Sequence, residues 1–218
     1  MRLAAKNIPV SEYIPTCARK EHRGEVLRLI DQTEFDDGNN GGCQTAALVC
    51  AIEKKFREEI PYSEMGRFYS LGDKVYNGRI EKVERVMRWC ASHGINMPGI
   101  GKIKATDIKS IPTKDVTFEI LEDAWKEYDC VIVGIAGRSE FFSPSTGKQF
   151  AVYKLPATAG HAMLLAELDE GRFGPQFDIP NTWGKKWGDA GWAYMEKRRF
   201  EKMRFWQINC CNFEIDEK

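Results

Sequence analysis

Residues 44–59 constrain the fold more than any other stretch of this chain. Ala46, Ala47, Leu48, Val49, Cys50, Ala51 and Ile52 follow one another without a polar break. A helix that is apolar all round has to be covered on every side, so other layers must pack around this one. The charged residues Glu53, Lys54, Lys55, Arg57, Glu58 and Glu59 around Phe56 predict that the helix leaves the core towards solvent, with Pro61 stopping it. Ahead of it, residues 31–42 are polar and glycine-rich and read as a loop. Cys43 therefore stands at a loop-to-helix junction, with its sulfur near the helix N-terminus. Unpaired N–H groups and the positive end of the helix dipole favour a thiolate there, and the thiolate is the nucleophile.

The 218 residues suffice for one large domain or two small lobes. Lys+Arg and Asp+Glu are equal at 32 each, so no excess basic field exists to hold nucleic acid or an anionic membrane, and neither is expected as a partner. No run approaches the roughly 18 apolar residues of a membrane span, and Met1–Lys6 lacks the apolar core of a signal peptide. The seven cysteines are odd in number and scattered. Cys50, Cys90 and Cys130 sit in apolar contexts and read as core hydrophobes. Free thiols in a reducing compartment follow, and a cytoplasmic location is expected. With no Cys-x-x-Cys and no His pair at ligand spacing, neither a metal nor another cofactor is expected.

Along the chain, residues 1–31 read as an extended arm ending in the apolar Val26–Ile30. Residues 62–76 read as a second helix. Ile80, Val83, Val86, Met87 and Cys90 recur at helical spacing, and Gly94 followed by Ile95 closes a third. Residues 96–113 carry Gly, Pro and Lys and read as a connector. A further amphipathic helix is expected at about 118–129. Short apolar or alternating runs then follow at 131–135, 150–153, 162–166, 177–179, 192–195 and 205–208, and read as strands. Helices followed by strands give an α+β architecture or two lobes, with a cleft between unlike lobes as the natural active site.

A cysteine nucleophile needs a base, an orienter for that base and donors for the oxyanion. Among three histidines, His22 lies in a charged arm and His93 ends a surface helix. His161 opens the apolar run 162–166 and is well placed to face a cleft.

The segment from Asn181 to Trp192 resembles the asparagine motif of the papain-like cysteine peptidases, Asn-Ser-Trp-Gly-x-x-Trp-Gly-x-x-Gly-aromatic. Asn181, Trp183, Gly184, Trp187, Gly188 and Gly191 match in register, with Trp192 in the aromatic place. Gly160-His161-Ala162-Met163 is similar to the family's Asn-His-Ala-Val block. Ala51-Ile52-Glu53 follows Cys43 at the family's distance, and the order Cys, His, Asn is the family's order. The resemblance implies a single papain-like domain over 1–218, with a helical lobe at roughly 29–112 and a β-rich lobe at 113–218. It implies a catalytic set of Cys43 as nucleophile, His161 as base and later acid, and Asn181 as orienter. Trp183 would cover the Asn–His contact. Gln32 would serve the oxyanion hole together with the Cys43 N–H. Gly42, Gly160 and Trp187 would border the substrate, a polypeptide, with Gly160 leaving its space open.

The departures lie around the nucleophile. Asn40 stands where the family has a disulfide-forming cysteine, and Gln44 where it has an aromatic. Ten residues separate Gln32 from Cys43, more than the family's usual gap, so Asn39 or Asn40 stands as an alternative oxyanion donor. No long inhibitory propeptide is expected ahead of Cys43. The expected activity is endopeptidase cleavage through a thioester. An amidase, isopeptidase or acyl transferase using the same triad, and a catalytically silent peptide-binding relative, are the alternatives.

Overall fold

A computed structural model describes residues 26–35, 42–76, 82–136, 140–145, 149–154, 160–171, 174–185 and 191–217. Four helices come mostly from the front of the chain: α1 (Gly42–Phe56), α2 (Tyr62–Val75), α3 (Val83–His93) and α4 (Phe118–Glu127). Among the described residues there are ten strands: β1 (Ile95–Met97), β2 (Gly101–Ser110), β3 (Cys130–Ala136), β4 (Glu140–Ser145), β5 (Gln149–Lys154), β6 (Gly160–Leu164), β7 (Glu167–Gly171), β8 (Gly174–Pro180), β9 (Trp192–Glu196) and β10 (Phe205–Asp216). They form two antiparallel sheets, ordered β1-β2-β10-β3-β6 and β5-β4-β9-β8-β7. This is the expected α+β class.

The all-apolar helix is buried as its composition requires: Gly42 to Glu53 are all covered. It lies against β6 and β3, with α2 and α3 beside it. Strand β3 alternates its side chains between two cores. Ile132 joins Ala162, Leu164 and the α1–α3 side chains on one face. Val131, Val133 and Ile135 join Met163, Phe177, Ile179 and Leu121 of α4 on the other. One sheet is thus the shared wall of both cores.

The stretch at 96–113 is not a connector. It holds β1 and the ten-residue β2, which pairs with β10 across the centre of its sheet. The alternation Lys102-Ile103-Lys104-Ala105 carries that strand, with Ile103 and Ala105 turned inward. Nor does Pro61 end α1. The helix stops at Phe56, where Arg57 takes φ +60 and donates its N–H to Glu53 O at 2.9 Å, while Pro61 is the residue ahead of α2. Glu53 does not face solvent either. It is 1% exposed and held by Arg28, whose guanidinium reaches its two oxygens at 2.7 and 3.2 Å. Glu53 Oε1 also accepts the Ile60 N–H at 2.8 Å, and Arg28 donates to Ile60 O at 2.5 Å. Burial raises the Glu53 carboxyl above its usual range, against the pull of Arg28.

Candidate active site

Cys43 is the second residue of α1, as the loop-to-helix reading requires, and is 8% exposed. Its thiol points at the neighbouring side chain: Sγ donates to Gln44 Oε1 at 3.2 Å. The two influences on the sulfur oppose each other. The helix start favours the thiolate, whereas a carbonyl acceptor favours S–H. A base is therefore needed to take the proton. Nothing in the sequence assigned Gln44 this part, since it was legible only as a missing aromatic.

His161 is the second residue of β6, opposite Ile135 of β3, and is 3% exposed. The same strand packs against α1, so the strand that carries the imidazole lies on the helix that carries the thiol. His161 Nε2 lies 2.7 Å from Asn181 Oδ1. With that carbonyl accepting, Nε2 holds the proton and Nδ1 keeps its basic lone pair. The Trp183 indole stacks on the imidazole at 4.2 Å between centroids and 26° between planes. Burial drives the imidazole down to about 4, against the opposing effect of the Asn181 bond. At neutral pH His161 is uncharged and able to accept a proton.

Asn181 follows β8 and is 1% exposed. Its N–H donates to Gly191 O at 2.8 Å, which closes the motif on itself. Its side-chain Nδ2 is buried and has no hydrogen-bond partner among the described residues. Gly184 at φ +76 lies over Asp31, whose Oδ2 would sit 2.5 Å from any Cβ there. Glycine is thus required at that motif position by both conformation and space.

That close approach belongs to a seam joining the front of the chain to the Asn181 segment. Asp31 bridges to Trp183, and Gln32 N–H donates to Thr182 O at 3.0 Å. The Thr182 hydroxyl donates to Gln32 Oε1 at 2.6 Å. Gln32 opens a short 3-10 turn (Gln32–Glu34) capped by Asp31, whose Oδ1 accepts from Thr33 N–H at 3.1 Å. The long gap before Cys43 thus leaves Gln32 beside Asn181. Its carbonyl is engaged and its NH2 is the end left to donate. Asn39 and Asn40 lie outside the described residues, as does Trp187.

Gly42 is the buried first residue of α1. Gly160 is exposed, but the space a Cβ would take there is not open. A Cβ there would lie 3.2 Å from Trp206 Nε1, and one on Gly134 would lie 2.6 Å from Trp206 Cε2. The indole, 37% exposed, lies across both glycines at a break in register between β10 and β3. Only a strand-like run marked this tryptophan in the sequence. Among the described residues, no group of three or more His, Cys, Asp or Glu side chains is arranged to hold a metal ion.

The family model for papain family cysteine proteases matches residues 19–214. The chain belongs to the papain family of cysteine proteases. Among solved structures, it is similar to the bromelain protease of Ananas comosus in complex with the E64 inhibitor, at 14% identity and a TM-score of 0.56, covering 89% of this chain and 97% of that one. It is likewise similar to the Carica candamarcensis cysteine protease CMS1MS2 in complex with E-64, at 14% identity and a TM-score of 0.55, over 88% and 95% of the two chains. The proform of Amb a 11, a ragweed pollen cysteine protease, matches at 17% identity and a TM-score of 0.55, over 99% and 72%. No curated protein matches the sequence. At these identities the structures establish the shared fold, a two-lobe α+β papain fold.

Proposed function

We propose that this chain is a peptidase whose nucleophile is Cys43. The observation that carries the reading is the His161 Nε2 contact with Asn181 Oδ1 at 2.7 Å beneath the Trp183 ring. It fixes the imidazole so that its basic nitrogen is Nδ1. His161 Nδ1 takes the Cys43 proton as the sulfur attacks the peptide carbonyl. The oxyanion is received by Gln32 Nε2 and the Cys43 N–H. Collapse breaks the C–N bond. The leaving amine takes the proton from His161, and a thioester remains on Cys43. His161 then deprotonates a water that attacks the thioester, releases the acid and restores the thiol. The six described cysteines are free thiols, which supports a reducing compartment as the place of work.

A library of random peptides read by mass spectrometry tests the proposal. The expected result is cleavage by the wild type that Cys43→Ala abolishes. Absence of cleavage, with Cys43→Ala binding the same peptides as well as the wild type, would overturn it in favour of a silent peptide binder.

A further inference from the structure

On the outer side of α2 a groove of about 430 Å³ runs between that helix, the end of α3 and the β1–β2 hairpin. Its floor is aromatic. Phe68 and Trp89 are buried with ring centroids 6.3 Å apart, and the indole N–H is spent on Phe68 O at 3.1 Å. His93 stacks on Trp89 at 3.6 Å, with Nδ1 held 2.7 Å from Ser92 Oγ. The apolar lining continues along α2. Leu71 and Val75 lie one turn apart on α2, 40% and 63% exposed.

The rim carries two lysines. Arg67, Lys74 and Lys102 line the groove, and among the described residues no carboxylate lines it. Arg67 is already held by Glu64 beside it, at 2.6 Å to each carboxylate oxygen, so the rim's positive charge is that of Lys74 and Lys102. The Lys102 stem is built into the wall. It lies where a Cβ on Gly94 would be, and Gly94 takes φ +68 to end α3. The stem covers apolar surface while the ammonium stays at the rim. In a chain with no net charge, Lys74 and Lys102 give the rim of this apolar floor a positive bias.

We propose that this groove receives a segment of a partner protein in which apolar side chains are flanked by Asp or Glu. The apolar side chains seat on Phe68, Trp89, Leu71 and Val75, and the carboxylates meet Lys74 and Lys102. Charge argues against the chain's own first 25 residues as occupant. They carry five Lys and Arg (Arg2, Lys6, Arg19, Lys20, Arg23) against three Glu (Glu12, Glu21, Glu25).

Display selection of random 12-residue peptides on the immobilised protein tests this. A Leu71→Ser/Lys74→Glu variant of these solvent-facing positions serves as the comparison, with its thermal melt as the folding control. Enriched peptides should share apolar residues flanked by Asp or Glu and bind with Kd on the order of 10 µM or tighter. They should bind the variant at least about tenfold more weakly and weaken with salt. Binders that carry no acidic bias, or that bind the variant equally, would overturn the proposal. So would a selection that enriches nothing. A second copy of this chain is the rival occupant, because Glu214-Ile215-Asp216-Glu217 has the same chemistry and Ile215 is 44% exposed. Sedimentation that shows a dimer lost in the variant would assign the groove to self-association and overturn the partner.

Discussion

At the scale of single residues, the site is a set of side chains each held in one orientation by a neighbour. Asn181 fixes His161, Trp183 covers the ring, and Thr182 holds the carbonyl end of Gln32. The last contact gives a direct prediction. On the proposed mechanism, Gln32→Ala should lower turnover by ~10²-fold with little change in KM, because its NH2 is the proposed donor to the developing oxyanion. Steady-state kinetics on a cleaved peptide checks this, and a loss below about threefold would move the oxyanion donor elsewhere. His161 and Asn181 were legible in the sequence because the tryptophans and glycines around Asn181 stand at fixed spacing; of those described, Trp183 stacks on the imidazole and Gly184 and Gly191 take positive φ. Gln44 and Trp206 were not legible. The first acts through a contact with its own neighbour, and the second through a break in strand register that no periodicity marks.

At the scale of elements, α1 is the member on which the rest is aligned, and its composition alone required that. Its C-terminal end was misread, because Glu53 looked like the start of a solvated face. The structure turns that carboxylate inward onto Arg28 and the Ile60 N–H. Arg28→Met should leave a buried carboxylate without its ionic partner and cost about 3 kcal/mol or more. For a chain of this size that lowers Tm by about 6–12 °C. Calorimetry at pH 7 checks it, and a change of under about 2 °C would show that the pair adds nothing to anchoring the helix. Strand β2 escaped notice for a different reason. Its lysines suggested a surface connector, while its pairing with β10 comes from residues about a hundred positions away. Long-range pairing of this kind leaves only a weak alternation in the local sequence.

At the scale of the whole molecule, two cores share one sheet, and the front of the chain is tied to the Asn181 segment through Asp31, Gln32, Thr182 and Trp183. This arrangement sets four of the buried cysteines apart from Cys43 by chemistry. Burial pushes the Cys50, Cys90 and Cys210 thiols up to about 12, and Cys130 well above its ordinary value. Such thiols stay protonated and inert at neutral pH. Cys43 instead stands at a helix start, on the helix that packs against the strand of the uncharged His161. Iodoacetamide labelling at pH 6, mapped by peptide mass spectrometry, tests the central claim most directly. The account predicts rapid modification at Cys43 ahead of the other described cysteines. The rate should fall as pH drops through about 4, where His161 takes up its own proton, and should fall by ~10²-fold or more in His161→Ala. Labelling of all the cysteines together, appearing only above about pH 8 and unchanged by loss of His161, would contradict it.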